Sequence, residues 1–293
     1  MPSSPLPVCV ILPRLHSMPT PLAPPWPRRP EGRVLVMGIL NVTPDSFSDG
    51  GFFAQSGAAI RHAEDMVQEG ADILDIGGES TRPGAQPISP REEIARVVPV
   101  LIALQDRHFT TPISIDTYKA ETAKAALAAG AVIVNDVWGL QHDPAMASVV
   151  AEAGAGLVIM HNRHIKDENI DIADDMERFF ERSLALARKA GIPENRIALD
   201  PGVGFGKTLD QNLDAIRAIP RLRAMGRPVL LGVSRKSFLG FITNRPVTER
   251  LAGSLAAAML GVELGADILR VHDIGPHIDA LTVRAALCPE NAA

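Results

Sequence analysis

The chain has 293 residues, of which 46% are hydrophobic and 22% are charged, and its formal net charge is −5. A globular chain of this size buries enough apolar surface to fold without a disulfide or a structural metal. The acidic balance argues against a nucleic-acid partner, and no uncharged apolar run approaches the roughly 20 residues that cross a membrane.

The two cysteines, Cys9 and Cys288, lie near opposite ends of the chain. Neither belongs to a CxxC motif or has a histidine neighbour, so the sequence predicts neither a zinc site nor a disulfide framework. Unpaired cysteines are typical of a reducing compartment, and we therefore expect a cytoplasmic protein.

The N-terminal segment is rich in proline, which opposes helix formation, and it has little apolar surface to bury. We predict a disordered extension over residues 1–32 and a single domain over residues 33–293. The apolar run 8–12 is followed by proline and lacks a small-residue cleavage site, which argues against a secretory signal. A disordered extension, or a true start at Met18 or Met37, is the favoured interpretation.

From residue 33 onward, short β-branched apolar runs alternate with longer segments of helical period. The runs are almost continuously apolar, as expected for strands that are covered on both faces. Helical patterns at 58–69, 119–129 and 174–190 are each followed by glycine, a usual residue after a helix C-terminus. The predicted strands are 34–41, 71–77, 112–117, 131–137, 156–161, 197–202, 228–234 and 267–272.

Eight strand–helix units over about 250 residues predict a (β/α)8 TIM barrel of α/β class. The alternative is an open doubly wound sheet, which usually has fewer strands and often a glycine-rich phosphate-binding turn. The only similar string, at 202–207, lacks the required spacing and the acidic partner. The barrel is therefore favoured.

Each predicted strand ends in, or runs into, polar residues. In a barrel all these ends meet at one face, where active sites lie. Several are carboxylates inside apolar runs, and an unpaired carboxylate is costly to bury, so a ligand or a counter-charge is expected. The strand-end residues include Asn41, Asp75, Asp116, Asn135, Asp136, His161, Asn162, Asp200, Ser234, Lys236, Arg270 and His272.

The residue types suggest two groups within this face. Asp116, Asn135 and Asp200 offer several acceptors and one amide, which suits a planar ligand with N–H donors, such as an amino-oxo heterocycle. Lys236 would place a cation beside a carbonyl or ring nitrogen.

Arg270 and His272, with Asn41 on the neighbouring strand, form the second group and suit a phosphate or diphosphate. Asn41 could also give an oxygen to Mg²⁺, which takes few protein ligands beside waters and phosphate oxygens. Two loops rich in glycine or proline, at 42–53 and 77–89, would stand over the pocket as lids.

Seven segments, in this order, together resemble the dihydropteroate synthase family. The first two, MGILNVTPDSFSDGG at 37–51 and DIGGESTRPG at 75–84, are highly specific, and the resemblance covers the chain from about residue 33 to its end. The remaining segments are SIDT at 114–117, VNDV at 134–137, DPGVGFGK at 200–207, GVSRKS at 232–237 and RVHD at 270–273.

The resemblance implies a barrel enzyme that joins 6-hydroxymethyl-7,8-dihydropterin diphosphate to 4-aminobenzoate. The products would be 7,8-dihydropteroate and diphosphate, a step of folate biosynthesis. It also implies Mg²⁺ as cofactor, a homodimer, and competition by sulfonamides as mimics of 4-aminobenzoate.

The resemblance also assigns roles to individual residues, and the catalytic ones would be Asp116, Lys236, Arg270 and His272. The pterin would be held by Asp116, Asn135, Asp200 and Lys236. The diphosphate side would be served by Thr81, Arg270, Val271 and His272, with Asn41 on the metal. The 4-aminobenzoate pocket would be formed by Arg82, Pro83, Phe205 and Ser237.

One segment departs from the family pattern. After strand five, many members have a glycine and a proline where this chain reads MHNRHIKDEN at 160–169. Strand five supplies few of the expected ligands, so we expect activity to survive, but Asn162 and Arg163 receive no role.

Two other interpretations stay open at this point. A methyltetrahydrofolate-binding barrel of a corrinoid methyltransferase shares the Asp/Asn pattern, but it lacks the two lid segments and the Ser-Arg-Lys segment. A pterin-binding paralogue that no longer catalyses is opposed by the presence of every expected ligand.

Overall fold

The computed structural model describes residues 23–28, 33–43, 52–80 and 86–287. Within them, eight short strands occur at the eight predicted apolar runs, and nearly all of their residues are buried. The strands are β1 (Leu35–Asn41), β2 (Ile73–Gly77), β3 (Ile113–Asp116), β4 (Ile133–Asp136), β5 (Gly156–Met160), β6 (Ile197–Asp200), β7 (Leu230–Leu231) and β8 (Ile268–Val271).

The strands form one parallel sheet in the order β6-β5-β4-β3-β2-β1-β8-β7. A parallel bridge between Leu199 and Val229 joins its two outer strands and closes the sheet into a barrel. The (β/α)8 prediction is therefore confirmed. Because all strands run in the same direction, their carboxyl ends share one face of the molecule.

Helices follow the strands and cover the outside of the barrel. Gly191, which follows α5, adopts a left-handed conformation with φ of 84°, as the C-cap prediction requires. The helices of the described residues are α1 (Phe52–Gln68), α2 (Pro90–Asp106), α3 (Ala120–Ala128), α4 (Met146–Ala153), α5 (Ile172–Ala190), α6 (Leu209–Arg217), α7 (Ile219–Ala224), α8 (Ser237–Thr243), α9 (Leu251–Leu264) and α10 (Ile274–Leu287).

The barrel interior has an apolar layer beneath a polar layer. The apolar layer includes Ile73, Ile133, Ala198, Leu230 and Ile268. Two residues further along the same strands stand Asp75, Asn135, Asp200, Gly232 and Arg270. Because side chains alternate with period two along a strand, each polar residue shares the inward face of the apolar residue below it. The polar layer therefore lies at the carboxyl end of the barrel interior.

Trp26 packs against the barrel, although the sequence pattern placed it in the extension 1–32 that we predicted to be disordered. It is 3% exposed and packs in the interior apolar cluster. Its indole Nε1–H donates to the Arg196 carbonyl over 2.9 Å, which satisfies the only polar atom of the ring. The described part of the extension, 23–28, is thus packed structure, while 1–22 and 29–32 lie outside the described residues.

Among the described residues, no helix combines the length and apolarity that a transmembrane crossing requires. Cys9 and Cys288 lie outside the described residues, so the expectation of unpaired thiols stays a prediction.

The burial of Trp26 predicts a large loss of stability on truncation. Trp26→Ala should lower the free energy of unfolding by about 3–5 kcal/mol, since it removes a buried indole and leaves a cavity. Arg28→Ala, at an exposed position on the same segment, should change it by less than about 0.5 kcal/mol. Urea denaturation followed by circular dichroism measures both, and equal small effects would show that the segment does not stabilise the barrel.

Candidate active site

An arginine flanked by two carboxylates lies at the centre of the polar layer. Arg270 Nε donates to Asp75 Oδ2 over 2.6 Å, and an Nη atom donates to Asp116 Oδ2 over 2.7 Å. Both carboxyl groups are almost fully buried. The guanidinium therefore ties β8 to β2 and β3, and these two bonds use two of its five N–H donors.

Asn135 on β4 extends this cluster, because its amide Nδ2 donates to Asp75 Oδ2 over 3.0 Å. Several buried atoms beside it have no hydrogen-bond partner within the described residues: Asp75 Oδ1, Asp116 Oδ1, Asn135 Oδ1 and Ser114 Oγ. Buried acceptors are rarely left unsatisfied in native proteins. Three acceptor oxygens and a hydroxyl in one cluster fit a ligand that brings its own N–H groups.

Asp200 and Lys236 complete the cluster from β6 and the segment after β7. A methyl group built on Gly232 would lie 3.6 Å from Lys236 Nζ, 4.0 Å from Asp200 Oδ2 and 3.9 Å from Arg270 Cβ. The Gly202 amide donates to Asp200 Oδ1 over 2.7 Å and fixes its carboxyl group. The absence of a side chain at Gly232 therefore leaves open the space that these three residues surround.

Burial governs the ionisation of these groups. Desolvation raises the pKa of Asp116 to about 7 against the attraction of Arg270, and it also raises the pKa of Asp200. Burial lowers the pKa of Lys236 to about 8, while the Asp200 carboxylate favours its ammonium form. Shifts of this kind, produced by desolvation and specific charge partners in one cluster, are typical of functional sites.

Asn41 and His272 lie at the rim next to this cluster. A methyl group on Gly77 would lie 3.7 Å from Asn41 Oδ1 and 3.6 Å from Asp116 Cβ, so the amide oxygen stands near the polar layer. His272 Nδ1 lies 3.0 Å from Ser234 Oγ. The side chain of Val271, the residue before His272, is buried in the outer apolar core.

The residues at the rim fit Mg²⁺ only if waters and substrate phosphates supply most of its ligands. Among the described residues there is no group of three His, Cys, Asp or Glu side chains that would hold an ion by itself. Mg²⁺ usually binds through one or two protein oxygens together with waters and substrate phosphates. The rim amide oxygen of Asn41 suits that role.

A lateral cavity of about 490 Å³ is lined by Phe205 and Ser237 among others, and by none of the polar-layer residues. The Lys236 ammonium lies 5.0 Å from the centre of the Phe205 ring, so it faces both regions. Trp138 and His164 form another part of the wall, with ring centres 4.0 Å apart. The altered segment after β5 thus contributes to this cavity.

The loop between β2 and α2 is anchored on both sides of its undescribed part. Glu79 accepts from Lys119 Nζ over 2.5 Å, from the Tyr118 hydroxyl over 2.9 Å and from the Ile88 amide over 3.0 Å. Thr81, Arg82 and Pro83 lie outside the described residues, as does most of the first predicted lid. The roles of these three residues and of both lids stay predictions.

The structure brings together Asp116, Asn135, Asp200, Lys236 and Arg270, and it places Phe205 and Ser237 beside them. Asp75 and Ser114 also belong to the cluster, although the sequence analysis gave them no role. A signal for both existed: Asp75 stands two residues after Ile73, and Ser114 two residues before Asp116, on the same inward faces.

Comparisons with known proteins agree with this geometry. A family profile described as "Pterin binding enzyme" matches residues 37–272. Dihydropteroate synthase of Bacillus subtilis is 49% identical over 83% of this chain and 84% of its own length. That of Clostridium beijerinckii is 46% identical over 83% of this chain and 90% of its own length.

Solved structures give the same result. Dihydropteroate synthase from Clostridium difficile, solved in the presence of pteroic acid, superimposes with a TM-score of 0.84 at 47% identity, covering 87% of this chain and 97% of that chain. The enzyme of Xanthomonas albilineans with 4-aminobenzoic acid gives a TM-score of 0.83 at 45% identity, covering 87% of this chain and 93% of that chain. The chain therefore belongs to the dihydropteroate synthase family of pterin-binding enzymes.

Proposed function

We propose that the chain is a dihydropteroate synthase, which transfers the pterinylmethyl group of 6-hydroxymethyl-7,8-dihydropterin diphosphate to 4-aminobenzoate. The C–O bond to the diphosphate breaks, a C–N bond to the arylamine forms, and the amine loses one proton. The observation that carries the proposal is the set of buried acceptor oxygens on Asp75, Asp116 and Asn135 that have no hydrogen-bond partner in the described part of the chain and lie beside two cations.

The pterin ring is matched by the chemistry of the polar layer. Its 2-amino and N3–H groups are donors that the Asp200 carboxylate would accept in a bidentate manner. Asn135 would bind a further edge of the ring. The Lys236 ammonium would donate on the side of the 4-oxo group and N5, where the ring has only acceptors to offer.

Departure of diphosphate leaves a methylene cation that delocalises into the pterin ring. Asp116 would lie near that ring and, as a carboxylate paired with Arg270, would stabilise the positive charge as it develops. Its ion pair with Arg270 holds the carboxylate in place before substrate binds. Because the group is positioned in advance, little reorganisation is needed as the bond breaks.

The leaving diphosphate would be received by Arg270 and, at the rim, by His272, with Val271 supplying backbone only, since its side chain is buried. Thr81 is assigned to the same side. When bound, Mg²⁺ neutralises part of the diphosphate charge, and Asn41 would give it one protein oxygen.

The arylamine half is assigned to the lateral cavity. Phe205 would pack against the aromatic ring, and Ser237 would bind the carboxylate with its hydroxyl or with the first amide of α8. Arg82 and Pro83 would close the pocket from the β2–α2 loop. Exclusion of water by the lids would leave the amine as the only nucleophile that reaches the cation.

We also propose a homodimer, which the family resemblance implies. Its support in this chain is three exposed apolar side chains on the adjacent helices α9 and α10, namely Leu260, Val283 and Leu287.

A diphosphate-release assay tests the proposed function directly. The purified protein with Mg²⁺ and pterin diphosphate should release diphosphate in proportion to added 4-aminobenzoate, and 7,8-dihydropteroate should accumulate at one mole per mole. Release that does not depend on the arylamine, or pterin binding without any release, would contradict the proposal. The second outcome would identify a pterin-binding protein without catalysis.

Substitution of Lys236 should weaken pterin binding strongly rather than slow the chemical step alone. Lys236→Ala removes a charge-assisted hydrogen bond worth about 1.5–3 kcal/mol and leaves Asp200 without its neighbouring cation. Pterin affinity measured by calorimetry should therefore fall by at least about 10-fold. Lys124→Ala, at an exposed lysine of α3, serves as control, and unchanged pterin affinity in Lys236→Ala would refute the assigned role.

The depressed pKa of Lys236, about 8, predicts an alkaline limit to activity. Below this pKa the ammonium donates to the ring, and above it the charge is lost, so kcat/KM for pterin diphosphate should fall as pH rises through about 8. This parameter reports the free enzyme.

Lys236→Arg is the matched control, because a guanidinium stays charged over this range. Its activity should be lower, and the decline near pH 8 should be absent. The same decline in Lys236→Arg would assign the alkaline limit to another group.

A further inference from the structure

A second lysine is buried next to the candidate active site, where the proposed reaction gives it no role. Lys207 is 2% exposed. Its ammonium lies 2.8 Å from the Gly202 carbonyl, 2.8 Å from His161 Nδ1, 3.2 Å from the Phe205 carbonyl and 3.4 Å from the His161 carbonyl. A buried ammonium is costly unless acceptors surround it, and here four do.

His161 is held in one tautomer by its two neighbours. Asp175 carries a carboxylate, which only accepts, so the ring proton lies on Nε2 and Nδ1 accepts from Lys207. Nε2 donates to Asp175 Oδ2 over 3.1 Å. Burial lowers the pKa of His161 to about 4, so the ring stays neutral. The chain of contacts Asp175–His161–Lys207 thus runs from α5 across the end of β5 to the segment after β6.

That segment, the glycine-rich loop 200–207, packs backbone to backbone against the end of β5. A methyl group on Gly202, which has φ of 63°, would lie 1.8 Å from the His161 carbonyl oxygen, and one on Gly206 would lie 2.4 Å from the Arg163 carbonyl oxygen. The loop therefore folds inward at positions that only glycine tolerates, and its carbonyls converge on Lys207.

The same loop supplies three contacts to the candidate active site. The Gly202 amide fixes Asp200, the Val203 carbonyl accepts from Lys236, and the Phe205 ring lies against the Lys236 ammonium. Lys207 bonds directly to the carbonyls of Gly202 and Phe205, which flank the Val203 contact in sequence. Loss of these bonds would release the part of the loop that carries Phe205.

We propose that Lys207, held by His161 and Asp175, is a positioning residue that fixes the glycine-rich loop 200–207 so that Phe205 presents the arylamine-binding wall in one arrangement. The inference rests on the proposed function and deepens it. The pterin edge is bound by side chains of β3, β4 and β6 and by Lys236 after β7, whereas Phe205 is carried by the loop itself, so the arylamine half should be the more sensitive one.

The experiment measures both halves of the reaction in Lys207→Met, which keeps the length of the side chain and removes its donors. We expect the KM for 4-aminobenzoate to rise at least about 10-fold while the affinity for pterin diphosphate, measured by calorimetry, changes by less than about threefold. Lys189→Met, at an exposed lysine of α5, should leave both quantities unchanged.

Two substitutions of His161 test the chain of contacts and cover the case in which Lys207→Met fails to fold. His161→Asn places an amide oxygen where Nδ1 stood and keeps the acceptor for Lys207, while His161→Leu removes it. The KM for 4-aminobenzoate should rise several-fold in His161→Leu and return toward the unsubstituted value in His161→Asn.

Two outcomes would overturn the inference. The network would only stabilise the fold if the variants had lower melting temperatures while the KM for 4-aminobenzoate and the affinity for pterin diphosphate stayed within twofold of the unsubstituted protein. Equal losses on the pterin and arylamine halves would show that it does not position the arylamine wall. Absence of diphosphate release by the unsubstituted protein would instead contradict the proposed function.

Discussion

The candidate active site depends on one ion-paired arrangement inside the barrel, the Arg270 guanidinium between the carboxylates of Asp75 and Asp116. Two carboxylates in a buried layer repel each other and lose hydration, and a single cation between them offsets both effects. The guanidinium suits this position because its planar donors reach two acceptors at once. The remaining oxygens of both carboxylates stay without a partner within the described residues and are available to a ligand.

Further from the barrel axis, two lysines are likewise paired with nearby acceptors. Lys236 stands near Asp200 at the edge of the polar layer, and Lys207 lies beneath the glycine-rich loop beyond it. Buried or half-buried cations thus follow one another from the barrel interior to the lateral cavity, each close to acceptors that belong to the site. Such charges cost stability, and they give fixed dipoles and donors that need not reorganise when substrate charge develops.

Much of the fold and of the site could be predicted from the sequence, for a physical reason. Parallel strands covered on both faces need continuous apolar runs, so polar residues such as Asp116 and Asn135 within those runs stand out. Trp26 was missed because its contacts are with distant strands and its own segment has no periodic pattern. Asp75 was noted without a role, because only the packed structure shows that it bonds to both Arg270 and Asn135. The roles of Arg82 and its neighbours rest on the resemblance alone.

A crystal structure with 6-hydroxymethylpterin bound would show directly whether the polar layer binds the pterin ring. We expect the ring inside the barrel mouth, with its N–H groups about 2.7–3.2 Å from carboxylate or amide oxygens of Asp116, Asn135 and Asp200. A ring bound in the lateral cavity between Trp138 and Phe205, with the polar layer unchanged, would contradict it.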